Sequence, residues 1–333
     1  MKSFMGMELS ELGVGTYLGE PDERTSEGYQ RVMLSSVEYG INVVDTAIVY
    51  RYMRSERDTG KVLKKVGRER FIVSTKGGYV PYDLDSGLSF RDYLYENFLK
   101  TSLLKPEEIS QGHSLSVDFI RWCLRKSLEN METDYVDIYF LHNPEEQLLT
   151  LDRRTFRDRI RACFEYLEDE ARKGRIKYYG LATWNGFRVG PTEKQYLDLY
   201  ELFKVAEEVG GEEHRFRFIQ LPYNLGMTEA FTLKNQKVGE KELSTLEACR
   251  ELGLYVYTSA SILQGRVVGR VAKALKDRLG VDSDVLASLQ FVLSTPGVGT
   301  ALVGMSKLEH LQENARILNM PRLDLQGFLA LFE

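Results

Sequence analysis

Eight short apolar runs of β type, each followed by a helical pattern, dominate this chain. The runs cover residues 12–17, 41–44, 71–75, 136–141, 176–182, 216–221, 254–258 and 300–303. The helical patterns cover residues 27–39, 56–66, 117–131, 156–173, 193–209, 241–252, 284–294 and 307–317, with Ser116 read as the cap of the third. Glycines close several of them, among them Gly40, Gly67, Gly174 and Gly253. Near-continuous apolar strands alternating with helices imply a parallel sheet covered on its outer face. Eight such units at ordinary spacing predict the α/β class and a (β/α)8 TIM barrel with long loops at the C-terminal face. A single domain over residues 1–333 is expected, and 43% hydrophobic residues supply an ample core for it. Residues 77–114 form a long connection of the kind that serves as a lid or carries local helices. The apolar C-terminal tail, residues 321–333, is expected to pack on the barrel or on another subunit.

Three runs end in groups that move protons. The second runs into Asp45, with Thr46, Ala47 and then Tyr50 five residues past the carboxylate. The third runs into Lys76 and the fourth into His142. In a parallel barrel the C-terminal strand ends are where chemistry is placed. A carbonyl being reduced needs an acid at its oxygen. A phenol with a pKa of about 10 is a weak one unless a cation stabilises the phenolate. Lys76 is expected to supply that cation, Asp45 to hold Lys76, His142 to aim the carbonyl and Tyr50 to donate the proton. Each of these residues alone has an ordinary structural reading as a cap, a packing ring or a solvated strand end. It is the four together, in order, that carry the argument. The other histidines, His113, His214 and His310, are expected at the surface, with His310 beside a cofactor.

The order D-T-A-x-x-Y, then Ser55-Glu56, Gly60, a strand ending in lysine and a strand ending in Leu-His resembles the aldo-keto reductase family. The resemblance runs from Glu11 to Asn314. It implies NADP(H) as cofactor, with NAD(H) as the alternative, held with its nicotinamide in the barrel mouth. On matching positions it places Gly15, Thr16 and Tyr17 beside the nicotinamide ribose, with Asp45 and Thr183 near the ring and Gln220 on the carboxamide. Ile262, Gln264, Gly265 and Arg266 fall in the pyrophosphate loop. Gly304, Ser306 and Lys307 open the eighth helix, whose free N–H groups suit a phosphate. His310 and Asn314 then lie toward the adenine. Three features depart from the family pattern, one being that Lys307 is the one clear basic candidate where a pair usually grips a 2′-phosphate. Ala182-Thr183 stands where Ser-Asn is usual, and Ser259 stands where an aromatic usually stacks on the nicotinamide, with Trp184 or Tyr257 as substitutes. The two G-x-G runs, at Gly13 and Gly297, lack the strand–helix setting of a Rossmann fingerprint.

Composition narrows the function classes. A net charge of −5 argues against a nucleic-acid partner. The N-terminus lacks the apolar stretch of a signal peptide, and no run is long enough to span a membrane. Cys123, Cys163 and Cys249 sit in helical patterns and read as reduced core thiols with no zinc spacing, which fits the cytoplasm. The expected activity is NAD(P)H-dependent reduction of a small aldehyde or ketone to an alcohol, with no metal. The alternatives are a sugar or alcohol dehydrogenase running in reverse and a nucleotide-binding, redox-sensing regulatory subunit. The sequence leaves the oligomeric state unread.

Overall fold

The structure is a computed structural model and describes residues 1–333. Its strands are β1 (Leu12–Gly15), β2 (Val43–Asp45), β3 (Ile72–Gly77), β4 (Val136–His142), β5 (Ile176–Ala182), β6 (Phe216–Pro222), β7 (Tyr255–Ser259) and β8 (Thr300–Gly304). They pair in parallel and close into a barrel in chain order, with β8 beside β1. The main covering helices are α1 (Glu23–Ser36), α2 (Arg54–Val66), α3 (Val117–Met131), α4 (Arg153–Arg172), α5 (Leu199–Gly210), α6 (Thr245–Glu251), α7 (Asp284–Ser294) and α8 (Leu308–Ala315). This is the predicted (β/α)8 architecture. No helix is long and apolar enough to cross a membrane. The three cysteines are free and buried.

Strand alternation decides what fills the barrel. Every second side chain points inward. The lower inward positions are apolar: Val43, Ile138, Phe140, Phe218, Tyr255, Tyr257 and Leu302 form one buried cluster. Two residues further along the same strands the inward positions become Asp45, His142, Gln220 and Ser259. An unanticipated antiparallel hairpin, Lys2–Phe4 with Met7–Leu9, joins the apolar cluster at its base. Phe4 packs edge-on against Phe218 at 5.5 Å, and the Tyr178 hydroxyl donates to the Met5 carbonyl at 3.2 Å.

Several boundaries differ from expectation for local reasons. The first helix starts early, at Glu23, because the Asp22 carboxylate accepts the Thr25 N–H. The fifth starts late, at Leu199, capped by Asp198. Residues before it are tied down instead, with the Tyr196 hydroxyl donating to the Asn235 carbonyl at 2.7 Å. The predicted helical start at Lys241 is a strand, Lys241–Ser244, paired with Lys234–Val238 across Gly239 at φ +60°. The helix begins only where Ser244 and Glu247 form a capping box. Ser116 occupies the cap position of α3, but its side chain makes no cap bond. In the C-terminal tail, Phe328 is buried against Phe231 and Phe291, with ring centroids 5.2 and 5.5 Å away.

Two histidines expected at the surface are buried, His113 at 0% and His214 at 2% exposure. The long loop after β3 carries a short helix, Phe90–Leu94, and its return is clamped by His113. The Gln147 side-chain amide donates to His113 Nδ1 at 3.1 Å, which puts the ring proton on Nε2, donating to the His142 carbonyl at 2.6 Å.

Two outcomes are expected from this packing. A Cβ on Gly180 would fall against the Phe218 carbonyl of the neighbouring strand, so Gly180→Ala should destabilise by about 1–3 kcal/mol in urea denaturation. Burial holds the His113 imidazole down at about 4 from its ordinary 6.5. Above pH 6.5 the ring is neutral in both the folded and the unfolded chain. Between pH 6.5 and 4 only the unfolded chain takes the proton, so stability falls with pH by about 3 kcal/mol. The stability advantage of the parent over His113→Gln, followed by denaturant midpoints, should therefore shrink as pH drops through that window.

Candidate active site

Asp45, Lys76 and His142 stand on inward positions at the C-terminal ends of β2, β3 and β4, and Tyr50 follows β2 on a short turn. The Asp45 carboxylate is buried and fully engaged. Its Oδ2 accepts from Lys76 Nζ at 2.6 Å, and its Oδ1 accepts from Ser74 Oγ at 2.6 Å and from the Gln220 amide at 3.0 Å. Lys76 is wholly buried and also donates to the Thr46 carbonyl at 2.8 Å. Desolvation pulls its pKa down, opposed by Asp45. Its Nζ lies 4.8 Å from the centroid of the Tyr50 ring, a cation–π contact. The four residues therefore form one connected group.

The electrostatics correct one expectation. The Tyr50 phenol is held well above its ordinary pKa, chiefly by desolvation and then by Asp45, Tyr17 and Tyr79. Asp45 offsets part of the Lys76 charge at the phenol, which is a protonated group throughout the neutral range. Desolvation, Lys76 and His113 hold the half-buried His142 imidazole well below its ordinary value, so it is neutral there. Its ring meets Tyr50 edge-on at 5.9 Å and Tyr79 at 5.1 Å. The site thus presents a protonated phenol and a neutral imidazole side by side, one able to give up a proton and the other to hold an oxygen.

Tyr50, Asp45 and His142 line a cavity of about 720 Å³ at the barrel mouth. Of the proposed cofactor positions, Gly15, Thr16, Tyr17, Thr183, Gln220, Ser259, Ile262, Gln264, Gly265, Gly304, Ser306 and His310 also line it. Arg266 and Lys307 are exposed outside the lining, and Asn314 is buried outside it. The volume and the polar groups dispersed along its length suit a ligand of dinucleotide type. Two hydroxyls face the wall rather than the cavity. Thr16 Oγ1 donates to the Asp45 carbonyl at 3.1 Å, and Thr183 Oγ1 to the Gln220 carbonyl at 3.5 Å. Tyr257 is fully buried among Phe218 and Tyr255 beneath the cavity, so it cannot stack on a ligand. Trp184 lines the cavity and is 39% exposed.

Sequence reasoning missed what holds these groups. The buried Glu145 carboxylate accepts the N–H groups of Trp184, Asn185 and Gly186 through one oxygen, at 2.6, 2.9 and 3.2 Å. It thereby fixes the loop that carries Trp184. Tyr79 and Asn143 also reach the cavity, joined by a 3.0 Å hydrogen bond from the Asn143 amide to the Tyr79 hydroxyl. Glu145 follows Leu141-His142-Asn143-Pro144, where an acid reads as a surface turn.

Comparison with known proteins bears on this geometry. The Aldo/keto reductase family pattern matches residues 11–330. An uncharacterized oxidoreductase, YqkF of Bacillus subtilis, is 24% identical over 331 residues, 98% of this chain and 92% of the relative. Among solved structures, aldo-keto reductase AKR11C1 from Bacillus halodurans in its holo form superposes with a TM-score of 0.67 at 21% identity, covering 98% of this chain and 93% of that one. An aldo/keto reductase from Klebsiella pneumoniae in complex with NADP and acetate gives 0.64 at 18% identity, covering 97% and 90%. With the family pattern spanning nearly its whole length over a closed eight-stranded barrel, the chain belongs to the aldo/keto reductase family and is an oxidoreductase of that type.

Proposed function

We propose that this protein reduces a small aldehyde or ketone to an alcohol, with Tyr50 as proton donor and NADP(H) as cofactor, NAD(H) being the alternative. One observation carries the reading: the protonated Tyr50 phenol and the neutral His142 imidazole face the same cavity over a buried Lys76–Asp45 pair. The Klebsiella pneumoniae relative binds NADP, which supports that choice of nucleotide. The three buried free thiols support a reducing compartment, the cytoplasm.

Asp45 keeps Lys76 charged and fixed at the cavity floor. His142 donates a hydrogen bond to the carbonyl oxygen and turns the carbonyl carbon toward the cofactor side. When bound, the reduced nicotinamide supplies the hydride. As charge develops on oxygen, Tyr50 gives up its proton, and Lys76, next to its ring, stabilises the phenolate left behind. Gln220, Ser259 and the Gly304–Ser306 stretch would hold the nucleotide along the cavity toward His310. The raised phenol pKa keeps Tyr50 in its protonated form at neutral pH.

With NADPH and 4-nitrobenzaldehyde, Tyr50→Phe should lose at least about 100-fold in turnover while nucleotide affinity stays near the parent's. Turnover within tenfold of the parent would remove Tyr50 from the acid role. A parent that binds NADPH tightly without turnover would favour the regulatory subunit.

Ser259 lines the cavity at the end of β7 with little surface to offer a nicotinamide ring. Ser259→Tyr should tighten nucleotide binding about fivefold by an offset stack, read by fluorescence titration. Weaker binding would mean that Trp184 already covers that ring face.

A further inference from the structure

The turn after Tyr50 is unusual in its backbone. Arg51, Tyr52 and Met53 are three consecutive non-glycine residues with positive φ, at +48°, +56° and +70°, and no other such run of three occurs in the chain. Side chains disfavour this conformation, and glycine would adopt it freely. A non-glycine residue there carries a backbone cost that its contacts have to offset. The Arg51 side chain is 1% exposed, and each of its three nitrogens donates a hydrogen bond. Nη1 donates to Asp58 Oδ2 at 2.8 Å, and Nη2 donates to Ser26 Oγ at 2.7 Å and to the Asp22 carbonyl at 3.3 Å. Nε donates to the Glu20 carbonyl at 3.0 Å. The far Asp58 oxygen accepts from the Gln30 amide at 2.9 Å.

These bonds join three pieces of backbone, two of which line the cavity, and reach α1 through Ser26. One is the turn bearing Tyr50. A second is the stretch after β1, whose Tyr17, Leu18 and Gly19 line the cavity and whose Tyr17 ring meets the Tyr50 ring at 5.0 Å. The third is α2, which carries Asp58. The guanidinium is rigid and planar, and its donors are directed to fixed carbonyls and a buried carboxylate. It therefore acts as a bracket behind the phenol, outside the reacting atoms.

The geometry points to Arg51, with Asp58, as a positioning residue that sets the place of the Tyr50 hydroxyl and of Tyr17 against it. The inference rests on the role proposed above for Tyr50, and Tyr50→Phe run in parallel separates the two. If that variant keeps turnover, the Tyr50 reading falls and this inference with it. If it loses turnover, the Arg51 variants decide the matter alone.

The test is Arg51→Gly, which relieves the backbone while deleting the guanidinium. NADPH affinity is read by fluorescence, kcat and KM with 4-nitrobenzaldehyde, and folding by circular dichroism. The expected result is a fall in kcat of about tenfold to a hundredfold that exceeds any change in KM or in nucleotide Kd. Guanidinium chloride at non-denaturing concentration should partly restore it. A kcat within about twofold of the parent, or a kcat loss no larger than the losses in KM and Kd, overturns the inference. Should Arg51→Gly fail to fold, Asp58→Asn gives the decision by the same comparison. It keeps the guanidinium and its carbonyl partners, so a selective kcat loss supports the bracket and an unchanged kcat overturns it.

Discussion

The ion pair between Lys76 and Asp45 is the interaction on which this structure depends. Withdrawing an ammonium from water costs several kcal/mol, and one carboxylate with one backbone carbonyl offsets it here. Asp45 in turn engages Ser74 on the neighbouring strand and Gln220 on β6, on the far side of the ring. The barrel mouth is thus crossed by a polar floor in which both Asp45 carboxylate oxygens accept hydrogen bonds. Deleting either charge strands the other in a buried setting, typically 3–5 kcal/mol of destabilisation in roughly comparable pairs. A well-packed apolar pair of similar volume would serve stability about as well, so the charges answer to what they face. The apolar layer beneath them, with Tyr257, Phe140 and Phe218, excludes water from below and strengthens their field.

The loops around that floor share one construction principle. Each is tied by a buried polar side chain bonded to backbone, and the long loop after β3 and the turn at Met53 are packed in addition on an apolar cluster with Tyr93, Phe98 and Phe119. Glu145 gathers three N–H groups under Trp184, His113 grips the carbonyl of His142, and Arg51 grips the carbonyls of Glu20 and Asp22. Backbone groups of irregular segments must find partners when buried. Side chains that supply them leave the strand ends free for substrate-facing groups.

The parts of this arrangement visible in the sequence are those written as local pattern. An apolar run ending in Asp45, Lys76 or His142 announces a strand mouth, because alternation fixes which side chains reach it. The ring of eight strands follows from repetition of that signal. The hairpin at Lys2–Phe4 and Met7–Leu9 escaped because strands of three residues carry no period. The hairpin before Ser244 escaped because its charged, alternating residues also suit an exposed helix. Glu145, His113 and Arg51 escaped for a different reason: their partners are backbone groups distant in sequence, and nothing in residue identity reports that a charged or aromatic polar side chain is buried. The same blindness hid the direction of the Tyr50 pKa, which desolvation sets and spacing cannot show.

The N-terminal hairpin has a kinetic consequence. With Phe4, Met7 and Leu9 packed beneath the apolar layer that fills the barrel, the cavity is closed from below and opens at the barrel mouth. Two molecules that must both reach its floor share that opening. Two ligands seated one above the other in such a well would have to enter and leave in order, the deeper one first in and last out.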